Sequence, residues 1–188
     1  TIMPALENYR ELEGSFRLLI QLLRSNLQAS ERTAIPFERE IGIVRDYLRL
    51  YSLKKDSNIS LNWQIDENIP GETCIPSMSI QIPVENAVKY AFTQENEEPN
   101  IQIQVTLQNK ALQIVTEDNG RGYNPMVHVN DKRGTGSGLK MLYRTIEILN
   151  TRNEEKIYFH IENRRQTNPE EKGTRVSLVV PLNYKYEL

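Results

Sequence analysis

The feature that most constrains the fold is a change of hydrophobic period near residue 55. Before it, Leu12, Phe16, Leu19, Ile20, Leu23 and Leu27 recur at steps of three and four, as do Ile41, Val44, Tyr47, Leu48 and Tyr51, so residues 4–28 and 36–55 read as two helices. Thr33 is expected to cap the second helix and Pro36 to sit in its first turn. Beyond Lys55 the period is two: Ile59, Leu61, Trp63 and Ile65 alternate with Ser60, Asn62 and Gln64. The same alternation returns at Ile101–Leu107, at Leu112 and Ile114, at Ile157–Ile161 and at Val176–Val180, which makes five strands. Helical stretches are expected over 76–92 and 137–150, a tight hairpin turn over Gln108–Lys110, and a long polar loop over Asn163–Lys172. Strands with helices packed on one face give an α/β fold, a two-layer sandwich with a mixed β-sheet, preceded here by α-helices.

The length of 188 residues suits one sizeable core plus a helical extension. A formal charge of -2 leaves no basic field to attract phosphate backbones, so nucleic acid is not an expected partner. The single cysteine, Cys74, offers neither an internal disulfide nor a thiolate cluster and is expected to be inert. No apolar run approaches the length needed to cross a bilayer and nothing at the start resembles a signal peptide, so the piece is expected to be soluble. It opens at Thr1 directly into a helical pattern, as a fragment of a longer protein would.

Three motifs carry candidate chemistry. Asp118-Asn119-Gly120-Arg121-Gly122 follows the third strand, where a carboxylate delivered to the sheet edge can accept from an exocyclic amine; alone, the run also reads as an ordinary turn. Gly134-x-Gly136-x-Gly138-Leu139 precedes a helix, where free amides and the positive end of the dipole suit phosphate. It lies too late in the chain for a dinucleotide fingerprint and lacks the Lys-Ser/Thr ending of a P-loop. On the 76–92 helix, Asn86 can share a face with Lys89 and Tyr90, offering an oxygen to a hard cation and a charge to phosphates. Glu85 and Lys89 could equally form a solvated pair at four-residue spacing.

Together and in this order the motifs resemble the GHKL ATP-binding superfamily of histidine kinases, DNA gyrase, Hsp90 and MutL, and within it the LytS-type sensor histidine kinases. The resemblance runs from about Leu18 to Pro181: Ile75-Pro76 and Gln81 to Tyr90 are similar to the N box, the Asp118 run to the G1 box, the Gly134 run to the G2 box and Gly173-Thr174 to the G3 element. Phe37-Glu38-Arg39-Glu40 through Leu48 is similar to the linker helix that precedes this domain. The resemblance implies that Asn86 ligates Mg2+, that Lys89 and Tyr90 contact phosphates or sugar, and that Asp118 recognises the adenine amine of ATP. It implies nucleotide contacts also from Gly120, Gly122, Gly136, Gly138, Leu139 and Thr174, with Tyr123–Arg133 as the ATP lid and Lys132 and Arg133 reaching the γ-phosphate.

Some positions depart from the family pattern. The phosphate-accepting histidine motif is absent; His128 falls in the lid and His160 alternates outward on a strand. Pro83 stands one position later than the usual N-box proline, and Tyr90 replaces the usual histidine. Ile82 occupies the position where gyrase-, Hsp90- and MutL-type enzymes carry a water-activating glutamate, which disfavours hydrolysis and leaves Glu85 as the N-box carboxylate able to assist proton movement. The implied function is transfer of the ATP γ-phosphoryl to a histidine outside residues 1–188 and thence to a response regulator. Residues 1–55 would be the end of a dimerising helical region and its linker, and 56–188 the catalytic domain, cytoplasmic in an inner-membrane-anchored parent. The alternatives are a nucleotide-binding pseudokinase module and an anti-sigma-type serine kinase.

Overall fold

The computed structural model describes residues 3–53, 59–92, 98–123 and 137–186. In chain order it contains α1 (Met3–Ser30), β1 (Ala34–Pro36), α2 (Phe37–Ser52), β2 (Ser60–Ile65), β3 (Cys74–Pro76), α3 (Gln81–Asn86) running into a π-helical turn (Ala87–Ala91), β4 (Asn100–Gln108), β5 (Ala111–Asp118), α4 (Ser137–Thr151), β6 (Tyr158–Asn163), α5 (Arg164–Thr167) and β7 (Thr174–Pro181).

The five longer strands form one sheet in the order β2-β4-β5-β7-β6, parallel only between β2 and β4. This is the mixed sheet that the alternation implied. Its inward positions, Ile101, Ile103, Val105, Leu112, Ile114, Leu178 and Val180, pack against Phe37, Ile41 and Val44 of α2, against Ile82, Val84 and Val88 of the α3 segment, and against Leu142, Ile146 and Leu149 of α4. Alternation along β5 is strict, so Thr116 and Asp118 continue the inward row begun by Leu112 and Ile114. The sheet thereby points a carboxylate into its own helix layer.

The β4–β5 hairpin closes through Asn109 and Lys110, both with positive φ (50° and 62°), the left-handed pair that a two-residue turn between twisted strands requires.

Four expectations need correction. The N-box helix begins at Gln81 and not at residue 76, because Cys74–Pro76 pairs antiparallel with Ala34–Pro36 and Met78 takes a left-handed conformation (φ 66°). Thr33 does not cap α2; its hydroxyl donates to the Tyr186 carbonyl at 3.1 Å. Pro36 lies just outside the helix, and the first free amides, Phe37 N and Glu38 N, donate to the carbonyls of Thr73 (2.8 Å) and Gly71 (3.1 Å). Finally, the loop after β6 contains the single turn α5, capped by the Asn163 side chain.

On α1, Leu22 and Ala29 face α2, where they form a small second core with Ile35 and Ile43. Leu12, Phe16, Leu23 and Leu27 lie on a different face of α1, 61–69% exposed.

Candidate nucleotide site

Asp118 forms the base of the site. It is 6% exposed, and its Oδ1 accepts from Gly120 N at 2.9 Å and from Thr174 N at 3.2 Å. The turns that deliver those amides are tight. At Gly120 an added Cβ would lie 2.4 Å from the Ala91 carbonyl oxygen, which also accepts from Arg121 N at 3.0 Å. At Gly173, with φ +100°, a Cβ would lie 1.7 Å from the Asp118 carbonyl oxygen. The Asp118 run is therefore bolted on one side to the end of the π turn and on the other to the start of β7.

Above Asp118 opens a cavity of about 210 Å³, lined by Pro83, Asn86, Ala87, Tyr90 and Ala91 from the α3 segment, Thr116, Asp118, Arg121, Gly122 and Tyr123 from β5 and the turn after it, Leu139 from α4, and Asn163, Thr174 and Val176 from β6 and β7. Of the residues singled out in the sequence, the structure thus brings Asn86, Tyr90, Asp118, Gly122, Leu139 and Thr174 together around one space. Gly120 stands just behind it, and Gly138 packs at the start of α4, where an added Cβ would meet Ile82 Cγ2 at 3.3 Å. Lys132, Arg133, Gly134, Gly136 and His128 lie outside the described residues.

Asn86 lines the cavity with its side-chain Nδ2 buried and without a hydrogen-bond partner among the described residues. A buried polar atom left unpaired costs about 1–3 kcal/mol, so a carboxamide held this way is primed to meet a polar ligand. Its oxygen is the hard donor that Mg2+ takes, so the residue fits the ion. Glu85 and Lys89 are placed differently. Glu85 accepts from Gln81 Nε2 and pairs with Lys89 Nζ, both at 2.7 Å, and neither residue contributes to the cavity wall. For Lys89 the wider i→i+5 turn after Asn86 accounts for this, since it carries Lys89 away while Tyr90 stays over the cavity.

Among the wall residues, Asn163 was not singled out in the sequence, and Arg121 and Tyr123 entered there only as part of the Asp118 run and as the start of the lid. Asn163 is the cross-strand partner of Thr174; its Nδ2 donates to the Tyr123 carbonyl at 3.2 Å while its Oδ1 caps α5. Tyr123 and Arg121 complete the rim. Behind the rim, Arg164 donates to the Asp118 carbonyl at 3.3 Å and is held by Glu171 at 2.8 Å. The register that places Asn163 opposite Thr174 is a long-range property, and the only local signal was the Asn immediately after an alternating strand. His160 is exposed on the outer side of β6, 3.8 Å from Glu162, and takes no part in the cavity.

The profile of the family described as histidine kinase-, DNA gyrase B- and HSP90-like ATPases matches residues 80–184, more than half the chain and the whole of this site. The chain belongs to this family. Among curated relatives, the ATPase-family chain is similar to the sensor protein LytS of Staphylococcus saprophyticus, 31% identical over 91% of this chain and 29% of the relative. It is also similar to the sensor histidine kinase/phosphatase LytS of Staphylococcus aureus, 31% identical over 69% of this chain and 24% of the relative. It therefore spans under a third of the length of the curated relatives it matches. Among solved structures, its fold is that of a histidine kinase domain from the blue-light-activated kinase of Erythrobacter litoralis EL346 (TM-score 0.55, 17% identity, 89% of this chain and 75% of that one). The mycobacterial sensor histidine kinase MprB shares it too (TM-score 0.52, 15% identity, 80% and 97%).

Burial pushes the Asp118 carboxyl above the usual aspartate range, against the opposing hydrogen bonds from Gly120 and Thr174 and the charge of Arg164. A carboxyl whose folded pKa is raised holds its proton more tightly in the native state. Its contribution to stability is therefore fully present below the unfolded pKa and is lost as pH rises through the folded one. Asp118→Asn removes that dependence while keeping an acceptor for both amides. In urea unfolding, the variant of this ATPase-family domain should gain on the parent as pH rises from below the aspartate range to neutrality; a gap that stays flat or narrows contradicts this reading.

Proposed function

We propose that this chain is the ATP-binding catalytic part of a two-component sensor histidine kinase, using Mg2+ and passing the γ-phosphoryl to a histidine of a helical region that residues 1–188 do not include. The observation that carries the proposal is the pairing of a buried, amide-held carboxylate at Asp118 with the Asn86 carboxamide, whose Nδ2 has no partner among the described residues, across one cavity.

Asp118 accepts from the adenine amine, with Thr174 supporting the same edge of the ring, while Leu139 and Gly122 cover the base. Asn86 gives its oxygen to Mg2+, which neutralises phosphate charge when bound. Tyr90 takes the sugar or phosphates. Gly120 shapes the turn under the base, Gly136 and Gly138 bring backbone amides to the phosphates, and Lys89, Lys132 and Arg133 supply charge to the phosphates. Glu85, beside Asn86, is the N-box carboxylate that takes a proton from the attacking histidine. With Ile82 at the position of the hydrolases' glutamate, that position has no base to activate water, and this favours transfer over hydrolysis. Positioning and charge neutralisation account for most of the catalysis, as in phosphoryl transfer generally.

Residues 1–55 are proposed as the end of the dimerising helical region and its linker, with 56–188 as the ATP-binding domain. The row of Leu12, Phe16, Leu23 and Leu27 on α1 supports a homodimer through this region, since an apolar helix face gains by covering itself. A response regulator receives the phosphoryl group, and the domain is cytoplasmic in a membrane-anchored parent.

The test is incubation of a chain extended upstream through its native helices with γ-labelled ATP and Mg2+, sized by light scattering. Acid-labile, base-stable label on a dimer supports the proposal. Binding of ATP with no label on any chain makes it a nucleotide-binding signalling module, and acid-stable label on a partner makes it a serine kinase.

A further inference from the structure

Besides its apolar packing, α2 touches the start of the segment that carries Asn86 through a buried charged residue. Glu40, on α2, is 0% exposed, yet no cation lies beside it among the described residues. Its carboxylate accepts from three backbone amides, Met78 N, Ile80 N and Gln81 N, each at 3.1 Å. Ile80 N and Gln81 N are free amides at the start of α3, which has no side-chain cap of its own, and Met78 N lies in the left-handed turn before it. Burial raises the Glu40 pKa and the three hydrogen bonds oppose it, so the amides are what make the buried carboxylate tolerable.

α3 is only six residues long and cannot hold its own geometry. At its far end, after the π turn, the Ala91 carbonyl accepts from Arg121 N at 3.0 Å, which ties it to the Asp118 run. At its near end the side chains offer little: Ser77 Oγ, Ser79 Oγ and Gln81 Oε1 are buried without partners among the described residues. The near end is held by the β1–β3 pairing and by Glu40. Asn86 sits between these two clamps, one belonging to the linker helix and one to the adenine pocket.

We propose that Glu40 is a positioning residue that sets the place of Asn86 in the Mg2+-nucleotide site and so couples the linker helix to the phosphate end of the bound nucleotide. This rests on reading the cavity as an Mg2+-ATP site. A shift of α2 is carried by the Glu40 carboxylate to the start of α3 and from there to Asn86, while Asp118, held by Gly120 and Thr174, stays in place.

The experiment measures affinities of the chain for adenosine, for ATP with excess EDTA and for ATP with Mg2+, in the parent, Glu40→Ala and Glu40→Gln, with hydrogen exchange at Ile80 and Gln81. The expected result is that Glu40→Ala lowers the Mg2+ enhancement of ATP affinity by about tenfold and Glu40→Gln by about threefold, with adenosine within about twofold of the parent and faster exchange at both amides. A merely structural role would lower adenosine and Mg2+-ATP affinity by the same factor, and that outcome overturns the inference, as does an unchanged Mg2+ enhancement. Should Glu40→Ala fail to fold, Glu40→Gln decides alone by the same criteria. A parent chain whose ATP affinity ignores Mg2+ overturns the site reading itself, which an unchanged Glu40 variant beside a Mg2+-responsive parent does not.

Discussion

Asp118→Asn is expected to weaken ATP binding by about 30- to 100-fold, equivalent to about 2–3 kcal/mol for a hydrogen bond to a charged acceptor. The carboxylate is held by two amides on Oδ1 and buried to 6% exposure, so it meets a ligand amine without having to be reordered or desolvated on binding. Asparagine keeps an oxygen for those amides but can turn an NH2 group toward the amine, placing donor against donor. Calorimetric titration with Mg2+-ATP measures the effect, and an affinity within about threefold of the parent would mean that the base is recognised elsewhere. The same substitution should stabilise the unliganded fold at neutral pH, because it removes a buried charge. Loss of binding together with gain of stability separates a ligand-recognising carboxylate from one kept for the fold.

The second large effect is expected at Gly173, where Gly173→Ala should destabilise the domain by about 3–5 kcal/mol, from left-handed strain together with overlap that the core cannot relax. The residue sits at φ +100° with the Asp118 carbonyl 1.7 Å from the position of a Cβ, and its own carbonyl accepts from Arg164 N at 3.0 Å. A backbone atom cannot yield as a side-chain tip can. Gly138→Ala is the natural comparison, since there the neighbour is a methyl of Ile82 at 3.3 Å, which has room to give. Urea unfolding of both variants checks the contrast, and a loss below about 1 kcal/mol for Gly173→Ala would show that the β7 turn is not pinned to the Asp118 run.

The sheet was legible because a period of two, repeated along strands of six to nine residues, suits a half-buried strand and fits no helix. Ala34–Pro36 and Cys74–Pro76 were not, since three residues show no period and their pairing joins segments 40 positions apart. The same pairing delays the start of α3, which the sequence reading put at residue 76. The π turn is equally invisible in sequence, because it depends on how the chain after Asn86 meets the Asp118 run. Motif order identified Asp118, Asn86, Tyr90, Leu139 and Thr174 as one site. It could not supply Asn163, which reaches the cavity only through strand register, and it offered Tyr123 only as the first residue of the lid.

The left-handed turn at Asn109 and Lys110 has a practical consequence. It lies at the opposite end of β5 from Asp118, eight to nine residues away along an extended strand, or about 26–30 Å at the usual rise. A fluorophore or surface tether attached there would report on the domain without crowding the mouth of the cavity. The sheet that carries the ligand-facing carboxylate at one end thus offers a handle at the other.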